Sequence, residues 1–194
     1  MKLSILTLFI FTSLFAYGEK NLFKDPEFKD PKKSWHLSKR AEYKNITPSY
    51  KRGVFHIVTV SSSSGQYLSL LTPVDLEVGQ TYEIRMDLSA KGEGAIALYY
   101  GAYGDEEKSK GKKRDKKKSE EKNEGLGLKE SITDFTAEFK TYTYHFTVLE
   151  RRRSGDRQSS VRINLGDYMG DFKIKNLSLT KSDQALEKPV ERKK

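Results

Sequence analysis

The chain has 194 residues, a formal net charge of +9 and no cysteine. The missing thiols exclude a disulfide framework, thiolate metal sites and a cysteine nucleophile. The length suits one domain with one core, and that core must hold without covalent cross-links.

The opening residues, MKLSILTLFIFTSLFAYG, combine one Lys, a short apolar run and the small residues Ala16 and Gly18. This pattern predicts a secretory signal over 1–18, cleaved near Gly18. The mature protein is then secreted, to the extracellular space or the periplasm. The apolar run is shorter than the ~20 residues that span a bilayer. No later run is long and apolar enough, so no membrane span is expected in the mature chain.

Asn21 to Trp35 is rich in Pro, Asp and Lys and offers only short extended pieces. From Val54 the chain alternates with period two. Val54, His56, Val58 and Val60 oppose Phe55, Ile57 and Thr59, and two largely apolar faces point to a central strand. Ser61 to Gly65 reads as a turn, Gln66 to Thr72 as a strand, and Leu76 to Gly79 as a turn. The clearest strand is Thr81 to Ala90. Tyr82, Ile84, Met86 and Leu88 share one face, and Glu83, Arg85, Asp87 and Ser89 share the other, so one face is core and one is wet. Lys91 to Gly94 is expected to turn the chain into a strand over Ala95 to Tyr100. Lys140 to Val148 puts Tyr142, Tyr144, Phe146 and Val148 on one face. Val161 to Thr180 holds two alternating runs around Gly-Asp-Tyr-Met-Gly and reads as a closing β-hairpin.

Charge is uneven. Between Lys108 and Lys118 stand eight basic residues and one acid. The surrounding Gly104 to Glu130 has few apolar side chains to offset the entropy of ordering. It is expected to be a disordered charged insertion, and 181–194 a polar tail. No helical periodicity is sustained after the signal. Many short strands with Gly, Pro and Ser turns predict an all-β fold, a two-sheet β-sandwich over 19–180.

The order of motifs resembles the family 4/9 and family 22 carbohydrate-binding modules, which have a galactose-binding-like jelly roll. The resemblance rests on NLFKDPEFKDPKKSW, VGQTYEIRMDLSAKGEGAIALYYG, EFKTYTYHFTV and DFKIKNLSLT, and runs from Asn21 to Thr180. It implies a non-catalytic binder of polysaccharide. Members of these families often hold a structural calcium. The matching positions here are Lys29 and Lys175, whose ammonium groups oppose a divalent cation, so no calcium is expected there. Asp25, Glu27 and Asp30 are the nearby acids. By the same resemblance Trp35 is structural and belongs to the core.

Glycan sites use aromatic faces for stacking and planar polar groups for hydroxyls. Strand phase puts Arg85, Asp87, Tyr99, His145, Arg162 and Asn164 on polar faces, and these are expected to form one ligand-binding surface. Tyr99 would stack, Arg85, Asp87 and Asn164 would hydrogen-bond, and Tyr103 would line the rim. Tyr100 is expected in the core. His36, His56 and His145 lack metal-ligand spacing, and His56 reads as a core residue. Neither a nucleophile elbow nor an acidic motif is present. The chain is therefore expected to be neither an enzyme nor a cofactor binder, and to be a monomer. Lys108 to Lys118 could contact anionic polymers electrostatically. It lacks interleaved aromatics, which argues against specific nucleic-acid binding. The alternative reading is an extracellular structural or adhesion domain that makes its contacts through this basic run.

Overall fold

A computed structural model describes residues 20–39, 46–60, 68–103, 123–150 and 158–183. The N-terminal run expected to be a signal, the turn expected over Ser61 to Gly65, the basic run and the tail from residue 184 onward lie outside the described residues. The described chain forms a short helix α1 (Pro31–Ser34) and the strands β1 (His36–Lys39), β2 (Ser49–Lys51), β3 (Val54–Thr59), β4 (Leu68–Pro73), β5 (Thr81–Gly94), β6 (Ile96–Tyr103), β7 (Asn123–Ile132), β8 (Lys140–Thr147), β9 (Ser159–Asn164) and β10 (Tyr168–Lys181). They make two five-stranded sheets, β1-β4-β9-β6-β7 and β2-β3-β10-β5-β8. Every pairing is antiparallel. The fold is the two-sheet β-sandwich that the alternation predicts.

The alternating residues fall where their phase puts them. Tyr82, Ile84, Met86 and Leu88 are buried, as are Ile96, Leu98, Tyr100, Tyr142, Phe146 and Val148. Tyr100 of the first sheet meets Phe146 of the second at 5.8 Å between ring centroids, and Phe146 meets Tyr82 at 6.0 Å. Such ring pairs add about 0.5–1.5 kcal/mol each beyond the area they bury. Trp35 is buried as expected. Its ring lies 5.1 Å from Phe28 and 5.6 Å from Phe23, and its indole Nε1 donates to the Asp25 carbonyl at 2.7 Å. Asn21 ties the N-terminal segment to β10: its Nδ2 donates to the Leu177 carbonyl, and its Oδ1 accepts from the Phe23 and Leu179 amides.

Three local expectations need correction. Lys91 to Gly94 is not a turn; it extends β5 and pairs with Tyr168 to Asp171 of β10. The chain changes sheets immediately afterwards, at Gly94 and Ala95. Gly94 has φ +102°, and a Cβ there would stand 1.9 Å from the Asp167 carbonyl oxygen. Only glycine allows so close an approach.

Val161 to Thr180 is not a hairpin. β9 pairs with β4 and β6 in one sheet, while β10 pairs with β3 and β5 in the other. Residues 165–167 arch between the sheets, fastened by the Gly166 amide on Asn164 Oδ1 (2.9 Å) and the Ala95 amide on the Asp167 carbonyl (3.1 Å). Alternation fixes which side chains face the core but not whether consecutive strands share a sheet.

The charged insertion is shorter than the composition suggests. Residues 123–130 belong to β7, and Leu126, Leu128 and Ile132 enter the core. Leucines that alternate with glycine and charge suffice for an edge strand, because only one of its faces needs burial.

Candidate functional site

The sandwich presents two outer faces, and the residues read from strand phase divide between them. Arg85 and Asp87 stand on β5 and His145 on β8, all in the sheet β2-β3-β10-β5-β8. Tyr99 stands on β6, and Arg162 and Asn164 on β9, in the opposite sheet. They cannot form one surface. Tyr103 closes β6, paired with Asn123.

On the first of these faces charges meet across the strands. Lys175 stands opposite Asp87, Asp171 opposite Lys91, and Glu83 opposite His145. His145 Nε2 is 3.0 Å from Glu83 Oε2, and His56 Nε2 is 3.2 Å from Asp171 Oδ1. His56 is therefore not a core residue; it sits half-buried on this outer face. Asp87 accepts from Thr141 Oγ1 and from Asn176 Nδ2, each at 2.7 Å. These two bonds join β8 to the irregular register of β10 between Lys175 and Ser178, where Asn176 has φ +51°. The bond from Thr141 is the main cause that holds the Asp87 carboxyl below its ordinary value, with the Asn176 amide and the Lys175 and Arg85 charges adding to it. Arg85, Asp87 and His145 thus belong to a self-paired polar face.

The other outer face is built differently. Its register aligns His36, Leu71, Arg162, Tyr99 and Lys129 in one row across all five strands. At ~4.8 Å per strand the row is about 19 Å long. A row of small residues flanks it on each side: Ser38, Ser69, Asn164, Ala97 and Ser131 on one, and Pro73, Ser160, Gly101 and Gly125 on the other. Tyr99, Arg162 and Leu71 are half-buried, and Lys129 and His36 are exposed. A half-buried ring between cations, with low strips beside it, suits an extended hydroxyl-rich ligand. Asn164 sits in the floor of this face: it is 6% exposed, and its Oδ1 accepts from the Gly166 amide and lies 3.5 Å from Ser69 Oγ. Its oxygen fastens the arch rather than pointing outward. Lys129 and Leu71 were not legible as site residues, since only strand order puts them beside Arg162 and Tyr99.

A cleft of about 220 Å³ lies at one end of the sandwich, between the Asp75–Val78 segment and Leu149. It falls below the ~300–1,000 Å³ typical of small-molecule sites.

The acids near the N-terminus already have partners within the chain. Both oxygens of Asp25 accept backbone amides, from Lys29 at 2.8 Å and Asp30 at 2.9 Å. Glu27 pairs with Lys29 and Asp30 with Lys33, each at 2.6 Å. Among the described residues no three His, Asp or Glu gather as a metal-binding group. No helix among them is long and apolar enough to cross a membrane.

No protein-family model matches the chain, and no curated protein matches it in sequence. Solved structures do match in fold. The second N-terminal cellulose-binding domain of Cellulomonas fimi β-1,4-glucanase C superposes with a TM-score of 0.58 at 19% identity, over 86% of this chain and 97% of that one. A CBM4 module gives 0.57 at 13% identity, over 84% and 97%. The Stig cyclase Fisc from Fischerella sp. TAU gives 0.53 at 13%, over 84% and 96%. The chain thus has the β-sandwich fold seen in carbohydrate-binding modules, a fold that also serves a cyclase.

Proposed function

We propose that this protein is a secreted, non-catalytic polysaccharide-binding protein, and that its ligand lies across the outer face of β1-β4-β9-β6-β7. The observation that carries this reading is the cross-strand row Lys129–Tyr99–Arg162–Leu71 between two strips of small residues. Tyr99 supplies the stacking surface, Arg162 and Lys129 supply donors for ring and hydroxyl oxygens, and the small residues let a sugar approach the sheet. The fold of the cellulose-binding domain and the CBM4 module supports the same reading. The outward positions of this face hold no Asp or Glu among the described residues. A pair of carboxylates for glycoside hydrolysis therefore has no basis here.

Affinity electrophoresis or calorimetry against a panel of soluble polysaccharides tests the proposal. Tyr99→Ala should weaken binding, by analogy with base stacking on aromatics, by roughly 1–3 kcal/mol. Arg85→Ala, on the opposite face, should leave binding unchanged. Equal loss from both variants, or from neither, would contradict the assignment of the ligand to this face.

A further inference from the structure

We propose that the polysaccharide taken by this face is acidic, a chain that bears carboxylate or sulfate groups. The inference rests on the reading of the face as a glycan site and adds the charge of its ligand.

The two outer faces of the sandwich differ in charge. On β2-β3-β10-β5-β8 three acids have a basic neighbour across the strands, Asp87 with Lys175, Asp171 with Lys91 and Glu83 with His145, while Glu93 stands opposite Met169. Opposite charges directly across a sheet stabilise it, and the face is close to balanced. On β1-β4-β9-β6-β7 the outward positions carry Arg162, Lys129 and His36, with no acid among the described residues. The imbalance has a position as well as a sign. Arg162 and Lys129 flank Tyr99 on its two neighbouring strands, in one row. A sugar stacked on that ring would have a cation within about one strand spacing on either side.

The residue types add to this. A guanidinium presents its donors as a planar fork that matches a carboxylate or a sulfate. Lys129, on the exposed edge strand, is a mobile point charge suited to the next anionic group along the chain. A neutral glycan would need no cation on both sides of the ring.

The test uses matched polysaccharides that differ in charge alone: polygalacturonate against its methyl ester, and dextran sulfate against dextran. The first pair reports carboxylate and the second sulfate. At low salt, the acidic member of at least one pair should bind about tenfold more tightly than its neutral partner, as a charged hydrogen bond implies. The preference should shrink between ~0.05 M and ~0.5 M salt. Arg162→Gln should lower affinity for the acidic member about tenfold, and Lys129→Gln about threefold. Lys173→Gln, on the opposite face, should have no effect. Lys129 is exposed on an edge strand, so its variant decides the matter should Arg162→Gln fail to fold. A protein lacking residues 104–122 should keep the preference.

Four outcomes overturn the inference. The neutral partners bind as tightly as the acidic ones. The preference survives both substitutions on the row. It disappears with residues 104–122, which would assign it to the basic run. Single-stranded DNA binds as tightly as the acidic glycan, which would make the site a general polyanion surface. If no polysaccharide of either kind binds, the glycan reading itself fails.

Discussion

Tyr99 of β6 stands directly opposite Arg162 of β9. Their inward neighbours Leu98 and Ile163 are also paired, and both are buried. A slip of one residue would turn the tyrosine and the arginine into the core and the aliphatics into water. The core therefore sets the spacing of the candidate site, and a ligand meets a surface already in register. Such preorganisation favours binding, because little further ordering is needed.

The opposite face should separate stability from binding. Asp87 accepts from Thr141 and Asn176 and so ties two strands of its sheet together. Asp87→Ala should cost about 1–2 kcal/mol in urea melts and leave polysaccharide affinity unchanged. Because the folded carboxyl titrates below its ordinary value, its contribution is present above about pH 4 and is lost as pH falls through the folded value. The gap between native and Asp87→Ala melts should therefore narrow in acid. A gap that widens would contradict the hydrogen-bond role.

Two tyrosines should weaken the fold in alkali. Burial pushes the Tyr168 and Tyr144 phenols from 10.0 up to about 12. Tyr168 is buried, and its hydroxyl donates to the Asp171 carbonyl at 2.8 Å. Between about pH 10 and 12 the unfolded chain releases these protons while the folded chain keeps them, so stability falls as pH rises. Urea midpoints measured from pH 9 to 12 should drop, and Tyr168→Phe should flatten the drop. A midpoint that is constant or rises over this range would contradict the burial argument.

How far the sequence reveals this fold depends on what alternation can encode. It marks the inward residues of β5, β6 and β8, since each polar-apolar switch reports one face buried. It is silent on sheet membership. Thus Arg85 and Tyr99 share a phase pattern yet stand on opposite faces of the molecule, and the run from Val161 to Thr180 reads as a hairpin though its strands never pair. Strand order is settled by long-range pairing such as Ile174 with Phe55, which no local pattern carries. The same gap hides Lys129, which joins Tyr99 only through the pairing of β6 with β7. His56 misleads because its strand is apolar on both sides, although Val58 opposite Asp171 is 48% exposed.

The boundary of the charged insertion can be tested by deletion. Tyr103 pairs with Asn123, so the ends of β6 and β7 lie side by side. Replacing residues 104–122 with a two-residue Asn-Gly turn should keep cooperative unfolding and change stability by about 1 kcal/mol. Extending the deletion to residue 130 should abolish cooperativity, because it removes the buried Leu126 and Leu128. Leu128→Ala alone should cost about 2–5 kcal/mol. Tolerance of the longer deletion would contradict the assignment of β7 to the core.

The crossing between sheets gives a sharper test of topology. At Gly94 a methyl group would meet the Asp167 carbonyl at 1.9 Å, and its φ is +102°. Gly94→Ala should destabilise by roughly 2–3 kcal/mol or more. The alanine substitution at Gly79, where φ is +79° but nothing lies within 4 Å, should cost less, about 1 kcal/mol. The reverse order of the two melting midpoints would argue against the arch.

The most direct test of the glycan reading is where a bound polysaccharide perturbs backbone amide resonances in solution. A soluble polysaccharide selected from the panel is titrated into isotope-labelled protein, and the shifts are mapped on the two sheets. Shifts should centre on Tyr99, Arg162 and Lys129, with Ser160, Ala97 and Ser131 around them, and Arg85, Asp87 and His145 should not change. Shifts centred on Arg85, Asp87 and His145, or confined to residues 104–122, would contradict it.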